Sequence, residues 1–144
     1  FQPQVASADL GLAGFEALIR WDHAFRGAVP PADFIPLAEE TGLIRPLGDW
    51  VLGDACTAAA RWPDAIQVAV NLSPIQFKDR SLVATVRRAL EESGLRPGRL
   101  ELEITEAVLL QRDDVTIAML HELRALGVRI AMDDFGVGYS SLSY

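Results

Sequence analysis

From residue 14 onward the chain alternates short apolar runs with amphipathic stretches, and this rhythm limits its possible folds more than any other feature. Runs at 14–21, 67–74, 100–106 and 128–132 read as strands, the last running into Asp133. Helical patterns lie between them at 31–40, 47–62, 81–93 and 113–126. The third helix carries Leu82, Val83, Val86 and Leu90 on one face, and the fourth carries Ile117, Leu120, Leu123 and Leu126 at three-residue steps. Gly42, Gly94 and Gly127 stand where helices close, and Pro31 stands near the first turn of the first helix. Strand alternating with helix is the pattern of βα units, hence of a parallel sheet. A further short strand is expected at 1–5, a small-residue connector at 6–12, a turn region at 22–31, and the first turn of another helix at 140–144. An open doubly wound sheet and a (β/α) barrel both fit. No glycine-rich phosphate loop follows the first of the alternating strands, so a dinucleotide fold has little support.

Bulk properties remove several function classes. A chain of 144 residues is one domain with a real core. A formal net charge of −7 argues against a nucleic-acid polymer as partner, because that surface must be basic. A small phosphate ligand stays open, since a few arginines or bound cations reverse the field locally. Cys56 is the single cysteine, so no intrachain disulfide or cysteine metal cage forms, and its apolar helical setting suggests a buried structural thiol. His23 and His121 are too isolated to suggest a metal pair. No apolar run approaches the roughly 20 residues of a membrane span, and no signal-peptide pattern opens the chain. A cytoplasmic location is the expectation, with a membrane anchor elsewhere in the parent protein left open.

Oxygen-bearing side chains stand on or at the ends of four of the strands. Glu16 lies in the strand at 14–21, Asn71 closes the next, Glu103 sits on the third, and Asp133 and Asp134 end the last. Each has an ordinary explanation. Glu16 and Arg20 suit an exposed edge strand, and Ser73 suits a cap on a following helix. Asp133 and Asp134 suit a turn, and Glu101 with Glu103 suits a solvated strand face. Taken jointly they are harder to dismiss. In parallel α/β folds the C-terminal strand ends lie on one side, and sites are built there. Glu16, Asn71, Glu103, Asp133 and Asp134 are therefore expected to converge. All are hard oxygen donors, a set suited to Mg²⁺ or Mn²⁺ rather than Zn²⁺. Crowded carboxylates repel one another, and divalent cations relieve that repulsion. Paired hard cations suit phosphodiester hydrolysis, and Arg20 is placed to hold a phosphate.

Four motifs then stand out: Glu16–Ala17–Leu18 with Arg20, Asn71–Leu72–Ser73, Glu103–Ile104–Thr105–Glu106, and the run from Asp133 to Ser141. Together they resemble the motifs of bacterial EAL domains, in the family's order and over essentially the whole chain. The resemblance implies a modified TIM-type (β/α)₈ barrel, of which these residues cover about the first five strands. It implies hydrolysis of cyclic di-GMP to linear pGpG with Mg²⁺ or Mn²⁺, two ions in all. Carried over by position, Glu16, Asn71, Glu103 and Asp133 ligate one ion, and Asp133 with Asp134 the other. Glu16, Asp133, Asp134 and Glu106 form the implied catalytic set. Arg20 and Leu18 contact phosphate and sugar, and Gln2 approaches a guanine. Glu106 orders the loop after Asp134, which couples the site to a homodimer. Val137 stands where the family commonly has Thr, with a modest effect expected. A catalytic Lys and a further ligand Glu are implied beyond Tyr144, because 144 residues fall short of the roughly 250 of a complete barrel. A sensor or GGDEF-type domain in the parent protein is a further implied partner. The alternative reading is a cyclic di-GMP receptor or effector module without turnover. The barrel portion alone is expected to be inactive, and to self-associate or exchange elements through its open strand edges.

Overall fold

The computed structural model describes residues 1–5, 11–110 and 113–133. In chain order the first elements are β1 (Gln2–Val5), β2 (Leu12–Ala17), β3 (Trp21–His23), β4 (Gly27–Val29), α1 (Pro31–Thr41) and α2 (Ile44–Ala59). They are followed by β5 (Gln67–Leu72), α3 (Ser81–Ser93), β6 (Leu100–Thr105), α4 (Glu106–Leu110), α5 (Asp114–Ala125) and β7 (Arg129–Asp133). Short 3₁₀ turns at Pro74–Lys78 and Pro97–Arg99 complete the set. The main sheet has the order β1-β2-β5-β6-β7; β1 is antiparallel to β2 and every other pair is parallel. Helices α2, α3 and α5 lie in the three crossovers that parallel pairing requires.

The core lies between this sheet and its helices. Val68, Val70 and Leu72 of β5, with Leu100, Leu102 and Ile104 of β6, are buried against Leu52, Cys56, Val86 and Leu123 from three helices. Each such aliphatic side chain contributes about 1.5–3 kcal/mol by leaving water. Period-2 alternation along a strand then sends residues 67, 69 and 71, and 101, 103 and 105, to the opposite face.

Four elements depart from the sequence pattern. The strand expected to reach Trp21 ends at Ala17, so Leu18 and Arg20 lie past it rather than on its Glu16 face. The turn region contains a separate hairpin, with Trp21 opposite Val29 and Gly27 at φ +69°. The indole of Trp21 anchors that hairpin by meeting the Phe34 ring edge-on, 5.6 Å between centroids. Helix α2 runs from 44 to 59 rather than 47 to 62. Pro46 is tolerated in its first turn, where N–H groups have no intrahelical partner. Its C-terminus stops because Trp62 precedes Pro63, which disfavours helical backbone, and because Arg99 takes the terminal carbonyls. Its Nη2 donates to Ala59 O at 2.7 Å and Pro63 O at 3.2 Å, and its Nε donates to Ile66 O at 2.9 Å. The extra one-turn helix α4 follows β6 directly. The helix expected at 140–144 lies outside the described residues.

Candidate functional site

The face of the sheet turned away from the helices is polar. Register places Gln2 opposite Glu16, Glu16 level with Ala69, Asn71 level with Glu103, and Thr105 level with Asp133. Three of the five expected ligands are drawn together on this face. Asn71 Nδ2 donates to Glu16 Oε1 at 2.6 Å, and Glu103 is one strand over at the level of Asn71. Gln4 Nε2 on β1 donates to Glu103 Oε1 on β6 at 3.2 Å. A flat sheet holds strands three steps apart at about 14 Å, so this bond requires the strong curvature of a barrel wall. Deeper on the same face, Arg129 Nε donates to Glu101 Oε2 at 2.9 Å. That ion pair answers Glu101, which is therefore not a bare acid on a solvated strand.

The donor chemistry fits a hard divalent cation. Glu16, Asn71 and Glu103 offer only oxygens that such an ion takes, with no thiol or imidazole among them. Among the described residues no three His, Cys, Asp or Glu side chains form a metal-binding group. Asp134 and residues 135–144 lie outside the described residues; Asp133 is placed as the last residue of β7. The buried Thr105 hydroxyl has no hydrogen-bond partner among the described residues, where most buried polar atoms have one.

A cavity of about 330 Å³ opens beside these strand ends, lined by Leu18, Arg20, Glu39, Asn71, Ser73 and Thr105 among others. Leu18 and Arg20 thus reach the expected site from the segment after β2. Arg20 Nη1 donates to the carbonyl of Ile19 at 3.0 Å, and the guanidinium forms no ion pair with a described carboxylate. Gln2 is exposed on the edge strand β1, opposite Glu16. Glu106 opens α4 directly after Thr105. A larger cavity, about 620 Å³, lies between the hairpin and helices α1 and α2, walled by Trp21, Phe34, Leu37, Leu43 and Trp50. It is apolar and includes none of the strand-end acids, so size alone does not identify the site.

Other expectations resolve simply. Ser73 caps the 3₁₀ turn after β5, accepting from Ile75 N–H at 3.2 Å, while its own N–H donates to Gln76 Oε1 at 2.9 Å. His23 Nδ1 accepts from Phe25 N–H within the hairpin, a structural role. Burial pushes the Cys56 thiol up to about 11, as suits a structural cysteine. Sequence reasoning missed Gln4, Thr105, Glu39 and Gln76. Gln4 had a usable signal, since it lies two residues after Gln2 and so shares its face. Glu39 had none, because its partner Ser73 is 34 positions away.

Comparison with known proteins bears on the family and the fold. The sequence model of the EAL domain matches residues 1–144. The bifunctional diguanylate cyclase/cyclic di-GMP phosphodiesterase MucR of Pseudomonas aeruginosa is 45% identical over 148 residues, covering 100% of this chain and 22% of the relative. The cyclic di-GMP phosphodiesterase PdeR of Escherichia coli is 40% identical over 131 residues, covering 89% and 20%. The chain thus spans about a fifth of the length of these curated relatives. The PaMucR phosphodiesterase in its c-di-GMP complex superposes with a TM-score of 0.90 at 44% identity, over 97% of this chain and 58% of that one. Klebsiella pneumoniae BlrP1, in a manganese/c-di-GMP complex, superposes with a TM-score of 0.76 at 32% identity, over 98% and 35%. No described helix is long and apolar enough to cross a membrane. In sequence and in fold, down to a curved parallel sheet closed at one edge by an antiparallel strand, the chain belongs to the EAL domain family.

Proposed function

We propose that the protein carrying this chain hydrolyses cyclic di-GMP to linear pGpG, with Mg²⁺ or Mn²⁺, in bacterial second-messenger signalling. One observation carries the reading: Glu16 and Asn71 meet on the concave polar face, with Glu103 beside them in register. In this reading Glu16, Asn71, Glu103 and Asp133 hold one ion, and Asp133 with Asp134 holds a second. The bound cations supply an activated water and offset charge on the phosphodiester oxygens. The chain's own groups do the rest. Arg20 offers a planar, permanently charged donor to the phosphate. Leu18 packs against the sugar, and Gln2 reaches a guanine from the edge strand. Glu106 orders the loop after Asp134, and that loop forms a homodimer contact. Two relatives support the substrate, being named as cyclic di-GMP phosphodiesterases. Others are solved with c-di-GMP together with calcium or manganese. A GGDEF-type domain in the parent protein follows the precedent of MucR, named as bifunctional.

The test is chromatographic. The purified parent protein is incubated with cyclic di-GMP and Mn²⁺ or Mg²⁺, and pGpG is quantified. Turnover is expected, and Glu16→Gln is expected to abolish it. Tight binding by calorimetry without pGpG from the wild-type protein overturns the enzyme reading in favour of a receptor.

A further inference from the structure

We propose that Glu39 of α1 is a positioning residue for the site, acting on Asn71 through Ser73. The inference rests on the functional reading above and adds a residue to it. Ser73 is two positions beyond Asn71, and its backbone is extended (φ −73°, ψ 143°). Its side chain therefore leaves the chain on the same side as that of Asn71. Ser73 Oγ donates to Glu39 Oε1 at 2.5 Å, a short charge-assisted bond of the stronger class. The end of β5 is thereby tied sideways to α1, the helix that walls the cavity shared by Arg20, Asn71 and Thr105. A second tie runs to α2. Gln76 is 5% exposed and bonded to Ser73 N–H, and its amide packs so closely on Gly48 that a Cβ there would collide with it.

The two ties have different consequences. The cap formed with Ile75 and Gln76 shapes the turn and persists without Glu39. The Glu39 bond adds only lateral position. Glu39 also brings one more carboxylate to an acidic mouth, and its engagement with a hydroxyl distinguishes it from the strand-end acids. A ligand whose support is loosened binds its ion less tightly, and outer groups of this kind are worth about 10–100-fold in affinity or activity.

The test uses the full parent protein, with Mn²⁺ alone as the calorimetric probe and cyclic di-GMP turnover as the second readout. Glu39→Ala is expected to weaken Mn²⁺ binding about tenfold and to lower kcat with little change in KM. Glu39→Gln keeps an oxygen that accepts from Ser73 and is expected to recover most of that affinity. Glu39→Ala combined with Ser73→Ala is expected to be no worse than Ser73→Ala alone, because that change already removes the Glu39 bond along with the cap to Ile75 N–H. If Glu39→Ala fails to fold, the comparison of Ser73→Ala with Ser73→Thr, which keeps the hydroxyl, carries the same expectation. Unchanged Mn²⁺ affinity and kcat in Glu39→Ala overturn the inference while leaving the functional reading standing. A loss that Glu39→Gln does not recover also overturns it, since charge rather than position is then at work. A wild-type protein that binds no Mn²⁺ overturns the functional reading and this inference with it.

Discussion

Helix α2 contains two glycines whose replacement by alanine should move stability in opposite directions. Alanine in a helix interior is favoured over glycine by about 0.5–1 kcal/mol. At Gly53 no described residue outside the helix's own backbone stands within 4 Å of the place a Cβ would occupy. Gly53→Ala should therefore realise most of that gain. At Gly48 the added Cβ collides with the amide of Gln76. A long side chain usually swings aside at little cost, but this one is buried and its Oε1 accepts from Ser73 N–H at 2.9 Å. Displacing it takes away the partner of a part-buried backbone donor, worth about 1 kcal/mol. Strain from overpacking adds a penalty of about 1–3 kcal/mol. Even after the helix-propensity gain, Gly48→Ala should destabilise by about 1–4 kcal/mol. Urea unfolding followed by tryptophan fluorescence suits the comparison, since Trp50 lies on α2 and Trp62 just beyond it. A Gly48→Ala domain at least as stable as Gly53→Ala would refute the wedge between α2 and the turn after β5, and with it one of the two ties on Ser73.

Two further outcomes follow from single side chains. Arg99, 7% exposed, satisfies carbonyls of residues 59, 63 and 66 at the end of α2; Arg99→Met keeps the apolar stem and should lose about 3–5 kcal/mol in urea unfolding, whereas a loss under about 1 kcal/mol would show that water replaces the guanidinium there. Asp113 accepts at the start of α5 from Thr116 N–H at 2.7 Å and Thr116 Oγ1 at 2.9 Å, and these bonds hold its carboxyl below the usual carboxylate range. Its stabilising effect is therefore complete above the unfolded value of about 3.9 and is lost as pH falls through the lower folded value. Asp113→Asn should flatten that part of the acid limb of a stability–pH curve, and an unchanged limb would contradict the assignment.

Much of the site was readable from the sequence because its residues obey a local rule. Glu16, Asn71 and Glu103 each stand near the C-terminal end of a strand, and parallel pairing brings such ends together without further information. The same rule made the strand at Leu100–Thr105 plain, since its acids alternate with leucines. What escaped the sequence depends on approach between distant positions. The Gln4–Glu103 bond spans 99 positions and exists only because the sheet curls. Glu39 meets Ser73 across 34 positions, and Arg99 ends α2 from 40 positions away. The β3–β4 hairpin was hidden for another reason. Its strands are three residues each, too short for alternation to register against the Gly and Pro residues around them.

The polar face also bears on why this sheet keeps its register. A complete TIM barrel commonly fills its interior with branched apolar side chains. Here the concave face carries Gln4, Glu16, Asn71, Glu101, Glu103 and Arg129, joined by three hydrogen bonds that cross between strands. A carboxylate removed from water without a partner is costly, so this face does little for stability by itself. The stabilising burial lies on the helix side, through Val68, Val70, Leu100 and Leu102. Because side chains alternate, slipping β6 by one residue would turn Glu101 and Glu103 into the core and Leu100 and Leu102 toward the acids. The penalty falls on both faces at once. The acids that form the candidate site therefore also exclude the wrong pairings, and replacing them with apolar residues would remove that exclusion even where it raised stability.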